Sequence, residues 1–97
     1  MFQIRLTPEA LEDLNYLRKY DQGQIIAAIE TQLGHQAAQE TRNRKRLRPN
    51  QLAEWEMRVG DFRVFYDVSV ADSLVEIKAV GEKRGNKLLI RGQEYEL

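Results

Sequence analysis

The feature that most constrains this fold is the segment WEMRVGDFRVFYDV, residues 55–68. If Gly60-Asp61 forms a two-residue turn, with glycine at the first central position as a type II′ turn prefers, residues 55–59 pair with residues 62–66. A shift of one residue would mix apolar and polar side chains on each face, so the pattern predicts both the hairpin and its register. In this register one face carries only apolar or aromatic side chains: Trp55, Met57, Val59, Phe62, Val64 and Tyr66.

The segments before this hairpin predict a strand and two helices. Residues 2–6 alternate apolar and polar side chains, as a short strand does. Thr7-Pro8 is a helix start, with an N-cap threonine followed by proline in the first turn. An apolar stripe then predicts a helix to about Tyr20, residues 21–23 interrupt it, and a second stripe predicts a helix to about Gly34. The two helices should cover the apolar face of the hairpin.

The segments around and after the hairpin complete an α+β domain. Residues 35–53 lack periodicity and are expected to form a loop, whereas residues 74–80 predict a further strand. A basic loop is expected at residues 81–86, and residues 87–97 form either one strand or a small hairpin. The predicted order is β-α-α-β-β-β with a helical hairpin on an antiparallel-rich sheet, in a single domain of residues 1–97. Three side chains of the last strand should face the helices: Val75, Ile77 and Ala79.

Composition excludes several classes of function. The chain has no cysteine, so disulfides, thiolate catalysis and cysteine metal sites are impossible, and no metal or cofactor is expected. No apolar run approaches the roughly 18 residues of a membrane span, and the first residues lack a signal peptide, so a cytoplasmic protein is expected. Net charge is zero, but residues 41–63 carry seven basic and three acidic side chains, which allows one focused anion site.

The polar face of the hairpin places Arg58 directly opposite Arg63. Opposed like charges disfavour a sheet by roughly 0.2–1 kcal/mol. The arginines could be neutralised in a solvated network, or they could form an anion site, because guanidinium groups match phosphate oxygens in bidentate fashion. Lys83 or Arg84 could join such a site. Three carboxylates share the predicted face: Glu54, Glu56 and Asp67.

A second basic feature precedes the hairpin, where five of the seven residues from Arg42 to Arg48 are basic. This run is either a solvated loop or a segment that follows RNA phosphates, in which case its affinity would fall steeply with salt. Phe65, on the polar face, is the candidate for stacking on a base, while the single histidine, His35, is expected at a helix end. The basic candidates for RNA binding are Arg42, Arg44, Lys45, Arg46 and Arg48.

Together these features resemble the RelE/ParE superfamily of bacterial and archaeal toxins of type II toxin–antitoxin systems. The likeness covers almost the whole chain: the order β-α-α-β-β-β, RNRKRLRPN after the helices, the hairpin, and AVGEKRGN after the last long strand. Its most specific part is RVGDFRVFYDV, which is similar to the signature R-x-G-x-[YF]-R-[LV]-x-Y. The resemblance implies a RelE-like fold of the microbial ribonuclease type.

The resemblance also implies a toxin that is neutralised by an antitoxin, with operator DNA bound only through their complex. RelE-like members cut mRNA at the ribosome and use the RNA's own 2′-hydroxyl as nucleophile. A metal-independent mRNA endoribonuclease that inhibits translation is therefore the first expectation. The alternatives are ParE-like inhibition of DNA gyrase without RNA cleavage, and an inactive relative that acts only by binding its antitoxin.

Carried onto this sequence, the resemblance gives Arg58, Arg63 and either Lys83 or Arg84 as the catalytic phosphate clamp. Glu56 stands where RelE-like enzymes often have a second lysine, so it becomes a candidate proton acceptor.

A second departure from the family concerns the proton carrier. Many relatives have a tyrosine or histidine shortly after the Val-Gly-basic segment, and here Leu88 and Leu89 occupy that neighbourhood. A leucine cannot transfer a proton. Either Glu56 or Tyr95 replaces the missing group, or the protein is a poor nuclease.

Overall fold

The chain folds in the predicted order, with an additional strand before the central hairpin and with the tail folded as a hairpin. The computed structural model describes all 97 residues, Met1–Leu97. Seven strands form one sheet in the order β2-β3-β4-β5-β6-β7, and β1 lies parallel to β5. A π-helical turn, Ile29–Leu33, continues the second helix. The elements are β1 Gln3–Leu6, α1 Pro8–Tyr16, α2 Lys19–Ala28, β2 Arg44–Arg46, β3 Trp55–Val59, β4 Phe62–Ser69, β5 Leu74–Arg84, β6 Lys87–Ile90 and β7 Gln93–Tyr95.

The first helix begins as predicted, but the second begins earlier in the chain than predicted, at Lys19. The Ala10 N–H donates to Thr7 Oγ1 at 3.1 Å, which confirms Thr7 as the N-cap of α1. The break predicted at residues 21–23 was wrong, because extended backbone at Leu17 and Arg18 separates the helices instead. Asp21 lies in the first turn of α2, where a carboxylate favours the positive end of the helix, and it accepts a hydrogen bond from Arg18 Nε at 3.1 Å.

The register of the central hairpin is confirmed over its whole length. All five predicted pairs are present, from Val59 opposite Phe62 to Trp55 opposite Tyr66. The φ of Gly60 is +58°, whereas the φ of Asp61 is not positive, and this combination fits a type II′ turn. The inner face of the sheet, which we define as the face toward the helices, therefore carries the apolar set. These side chains join α1, α2 and β5 in the main core, whose largest fully buried members are Tyr66, Ile25, Leu33, Met57, Ile77, Val64, Val75 and Val80.

A β-bulge in β5 changes which face two of its residues occupy. Phe65 is opposite Ala79, but Tyr66 is opposite Ile77, so Lys78 is an extra residue in the strand. Val75 and Ile77 face the helices as predicted. The prediction for Ala79 was wrong, because the bulge turns it to the outer face and returns Val80 to the inner face, where it packs in the main core.

The outer face of the sheet carries a second, smaller apolar cluster. Residues 47–53 and the end of the chain fold over it, so the segment predicted as an open loop is partly packed. The tail forms a hairpin about Arg91-Gly92, the second of the two predicted alternatives, and φ is positive at both turn residues as in a type I′ turn. The four buried members of the cluster are Ala53, Phe65, Ala79 and Leu88, with Leu47, Leu52, Ile90 and Tyr95 packed against them.

The segment after Val80 is also more regular than predicted. Residues 81–84 extend β5 and do not form a loop, and only Gly85-Asn86 turns the chain into β6. This extension fixes the direction in which the side chains of Lys83 and Arg84 point. No helix is both long enough and apolar enough to cross a membrane.

Candidate functional site

Three basic side chains meet on the outer face of the sheet, beside the Gly60-Asp61 turn. Arg58 of β3 is opposite Arg63 of β4, and Arg63 is opposite Gly81 of β5. Because side chains alternate along a strand, Lys83 is on the same face as Arg63, one step toward the turn. We call Arg58, Arg63 and Lys83 the basic face. Convergence of three strands makes this a better candidate for an anion site than any one strand alone.

Arg63 is the anchored member of the basic face. Its Nη1 donates to the carbonyl oxygens of Gly60 and Phe62, each at 2.9 Å, and its side chain is only 12% exposed. Both acceptors belong to the hairpin itself, so the turn that sets the register also holds the guanidinium in place. A group held in this way loses little conformational entropy when it binds an anion.

The other two members of the basic face carry charges that no carboxylate neutralises. Arg58 is exposed and Lys83 is half-exposed, and neither side chain has an ion-pair partner within 4.0 Å. The main-chain N–H of Lys83 donates to the Asp61 carbonyl at 2.7 Å, which ties β5 to the hairpin turn. Solvation of Arg58 lowers the repulsion expected from its position opposite Arg63.

Glu56 neutralises part of this surface. Its carboxylate is 4.0 Å from Arg63 Nε and 3.9 Å from Lys45 Nζ, and its side chain is 15% exposed. Asp67, another carboxylate of the predicted network, instead accepts the Glu54 main-chain N–H at 2.8 Å. The charge network predicted as one alternative therefore exists only around Glu56, and it leaves Arg58 and Lys83 uncompensated.

The structure separates the two alternatives for the third cation. Arg84 lies on the inner face near α1, where it shares a small cleft with Asp13 and Tyr16. Its Nη2 is 3.4 Å from Glu82 Oε1. The prediction of Arg84 as part of the clamp is therefore corrected, because strand alternation directs it away from Arg63, and Lys83 takes that position.

Two of the predicted RNA-binding residues are buried. Phe65 has no exposed surface and packs in the outer apolar cluster, so it cannot stack on a base. Arg44 is 4% exposed, and its guanidinium donates to Gln32 Oε1 at 2.7 Å, Gln36 Oε1 at 3.1 Å and the Gln39 carbonyl at 3.2 Å. Arg44 therefore joins β2 to the end of the second helix and is not free to bind phosphate.

The remaining basic residues of this segment lie on the surface at the β2 edge of the sheet. Arg46 has its guanidinium carbon 5.9 Å from the centre of the Trp55 ring, a cation–π distance that also shields the indole. These residues could extend the basic face for a long anion, because Lys45 is opposite Glu56, which lies beside Arg63. The four exposed side chains are Arg42, Lys45, Arg46 and Arg48.

No tyrosine or histidine belongs to the basic face. Leu88 is buried opposite Lys83, and Tyr95 follows opposite Leu88, two strands away from Lys83. The Tyr95 ring packs against the outer apolar cluster. His35 is exposed beyond the second helix. The proton carrier that the family often supplies at this place therefore has no direct replacement.

The sequence-based prediction missed one ion pair, between the buried Asp13 of α1 and the half-exposed Arg91 of the terminal hairpin. Asp13 Oδ1 is 2.9 Å from Arg91 Nε, and Oδ2 accepts the Val80 N–H at 3.1 Å. Burial raises the pKa of Asp13, while the Val80 N–H and the Arg91 charge act to lower it. A charged residue inside the apolar stripe, between Ala10 and Leu14, was the signal that could have revealed this contact.

Comparison with known proteins decides the family. The sequence model of the ParE toxin of type II toxin–antitoxin systems matches residues 4–86. This chain belongs to that family. The predicted membership in the RelE/ParE superfamily and the predicted α+β fold are thereby confirmed. No significantly similar sequence occurs among curated proteins.

Solved structures share the fold at low sequence identity. The RelBE2 toxin–antitoxin complex from Mycobacterium tuberculosis matches with a TM-score of 0.67 and 21% identity, over 84% of this chain and 96% of that chain. The RelE–RelB complex from Pyrococcus horikoshii OT3 gives 0.68 and 19%, over 87% and 96%. The YoeB–YefM complex from Staphylococcus aureus gives 0.61 and 20%, over 82% and 94%. At these identities the likeness establishes the architecture alone.

Proposed function

We propose that this toxin inhibits its target by binding it through the basic face, without cleaving RNA, and that the target is DNA gyrase. The observation that carries the proposal is the absence of a proton carrier beside Arg58, Arg63 and Lys83, where the chain has the buried Leu88 instead. The family assignment agrees with it, because ParE-like members act on gyrase.

The chemistry of RNA cleavage explains why the missing proton carrier argues against a ribonuclease. Attack by a 2′-hydroxyl requires removal of its proton and protonation of the leaving oxygen, and positioned acid–base groups contribute about 10²–10⁴-fold to such steps. Cations on the basic face can hold a phosphate and stabilise its developing charge. They leave both proton transfers to water, however, and Glu56, the nearest carboxylate, is engaged by Arg63 and Lys45.

The second candidate function is the one first predicted, a metal-independent mRNA endoribonuclease acting at the ribosome. The convergence of three cations on one face favours it. In this reading Arg58, Arg63 and Lys83 hold the scissile phosphate, and the exposed basic residues of the β2 edge hold its neighbours. Loss of one such clamp would then reduce the cleavage rate by about 10²–10³-fold.

The proposal includes a cognate antitoxin as partner, because the family consists of toxins of type II toxin–antitoxin systems. Operator DNA would be bound only through the toxin–antitoxin complex. An inactive relative that merely binds its antitoxin is the third possibility, and it predicts that induction of the free toxin does not slow growth.

Purified toxin separates the first two functions. Titration into a gyrase supercoiling reaction should inhibit it, and the same preparation should leave mRNA on translating ribosomes intact. Arg63→Ala should abolish inhibition, whereas Arg84→Ala, which removes an exposed arginine from the opposite face, is the matched control and should behave as the natural toxin. RNA fragments that depend on Arg63 would instead establish the ribonuclease, and equal inhibition by both variants would exclude the basic face.

A further inference from the structure

Glu56 lies between the basic face and the exposed basic residues of the β2 edge. Because β3 separates β2 from β4 in the sheet, Glu56 has Lys45 on one side and Arg63 on the other. Its carboxylate is 3.9 Å from Lys45 Nζ and 4.0 Å from Arg63 Nε. Arg58 is the next residue of β3 whose side chain points to the same face. One negative charge therefore has three positive charges around it.

The cations beside Glu56 do not depend on it for their positions. Arg63 is held by its two hydrogen bonds to the carbonyl oxygens of Gly60 and Phe62. Its Nε is too far from the Glu56 carboxylate, at 4.0 Å, for a hydrogen bond. The Lys45 side chain is 63% exposed, so water solvates its ammonium group. An ion pair this long, with one partner in water, contributes little to the stability of the fold.

We propose that Glu56 determines which anions the basic face accepts: it excludes the continuous phosphate backbone of a nucleic acid and admits a discrete anionic group of a protein. The inference rests on the proposed function, in which the target is a protein, and it names the residue that gives this preference. A nucleic-acid strand that contacts both Lys45 and Arg63 brings its phosphates over the Glu56 carboxylate. Like charges this close oppose binding, and more strongly where water is partly excluded.

A discrete anion avoids this repulsion. Glu56 and Lys83 lie on opposite sides of the row formed by Arg58 and Arg63, with Lys83 toward the turn and Glu56 away from it. A carboxylate of a protein target can therefore contact the three cations of the basic face from the turn side. The residue opposite Glu56 on β4 is Phe65, which is buried and uncharged. The basic face is thus open at the turn and closed at its other end, which suits a short anionic group.

Nucleic-acid binding by the purified toxin tests this exclusion. The probe is a fluorescently labelled single strand of mixed sequence, prepared once as RNA and once as DNA, and anisotropy measures its affinity. The natural toxin should bind weakly, and Glu56→Gln should bind both strands about tenfold more tightly at low salt. With Lys45 and Arg63 released, the slope of log affinity against log salt should steepen by about 0.7–1.4, which corresponds to one or two additional phosphates. Glu56→Lys should raise the affinity further.

Glu76→Gln is the matched control. Glu76 also lies on the outer face and also contacts two cations, with Arg5 at 3.9 Å and Lys78 at 3.7 Å. It is opposite Asp67, however, toward the end of β4 that is remote from the turn. Both glutamine variants change the net charge by one, so Glu76→Gln should bind as weakly as the natural toxin. Equal tightening by the two variants, unchanged binding by Glu56→Gln, or tight binding by the natural toxin would each overturn the proposal.

A second change locates the gained affinity. Arg63→Ala added to Glu56→Gln should return the affinity to nearly that of the natural toxin, whereas Arg84→Ala added to it should not. Thermal denaturation should give Glu56→Gln nearly the same midpoint as the natural chain. A lowered midpoint with unchanged nucleic-acid binding would assign Glu56 a purely structural role and overturn the proposal. The binding assay contains no gyrase, so a toxin that shows the expected binding but does not inhibit gyrase would refute the proposed target alone.

Discussion

Asp13 is the most deeply buried carboxylate of the chain, with 2% of its surface exposed. It lies on the buried side of α1, and its two oxygens contact the Val80 N–H and Arg91 Nε. The first contact replaces a missing strand neighbour, because β1 has ended and β6 has not yet begun at this point of β5. The second holds Arg91 with a φ of +50°, an uncommon value for a residue other than glycine. The pair therefore fixes the terminal hairpin to the first helix.

Replacing Asp13 by alanine should lower the free energy of unfolding by about 1–3 kcal/mol, because the buried Val80 N–H loses its acceptor. Asp13→Asn keeps an acceptor oxygen and should cost less. Glu12, the other partner of Arg91, is 65% exposed, so Glu12→Ala should change stability by only about 0–1 kcal/mol. Urea denaturation measures all three variants. Equal effects of Asp13→Ala and Glu12→Ala would contradict this role for Asp13.

The raised pKa of Asp13 predicts how its contribution to the free energy of unfolding changes with pH. The folded state holds this proton more tightly than the unfolded chain, whose carboxyl has the ordinary pKa of 3.8. The stabilisation from this proton is therefore complete below pH 3.8 and is lost as the pH rises through the raised folded pKa. Unfolding free energy measured against pH should show this loss in the natural chain and not in Asp13→Asn. Identical curves would show that Asp13 does not contribute.

Replacement by alanine should have opposite effects on the stability of the fold at two glycines. A Cβ on Gly81 would be 2.9 Å from the Leu89 carbonyl oxygen, which is main chain and cannot move freely, so Gly81→Ala should destabilise the fold by about 1–3 kcal/mol. Gly23 lies in α2 with no atom within 4 Å of the added Cβ, so Gly23→Ala should stabilise by about 0.5–1 kcal/mol. Thermal denaturation compares them, and a shift of the same sign for both would refute this contrast.

At the scale of elements, the added strand β2 depends on a buried arginine. Arg44→Ala removes three hydrogen bonds made by one charged guanidinium. Because bonds made by one group are not additive and water can solvate the freed acceptors, a loss of about 2–4 kcal/mol in the free energy of unfolding is expected. Lys45→Ala, on the exposed neighbour, should cost less than about 1 kcal/mol. Chemical denaturation of both variants measures these losses in the free energy of unfolding. A destabilised Lys45→Ala beside an unaffected Arg44→Ala would mean that β2 is held differently.

The elements also show what the sequence could and could not predict. The central hairpin was predictable because one register alone separates apolar from polar side chains. The bulge at Lys78 was not, because Val75, Ile77 and Ala79 alternate perfectly in sequence, and only the pairing with β4 reveals the extra residue. The helix break was misplaced because Asp21 and Gly23 suggest a turn, although Asp21 instead pairs with Arg18 at the start of α2.

For the whole molecule, the basic face was predictable in outline, and its boundaries were not. The hairpin register determined that Arg58 and Arg63 share a face. The choice between Lys83 and Arg84 required the extension of β5, and the burial of Phe65 and Arg44 required contacts with residues distant in sequence. Side-chain exposure depends on the segments that fold over a sheet, and residues 47–53 and the tail have no pattern that predicts where they pack.

We propose that this toxin binds its target and does not cut RNA. The most direct test of this proposal is mapping of RNA 5′ ends in cells after induction of the toxin without its antitoxin. We expect growth arrest with no new 5′ ends, and relief of the arrest by Arg63→Ala but not by Arg84→Ala. New 5′ ends within translated mRNA that disappear in Arg63→Ala would contradict it and establish the toxin as a ribonuclease.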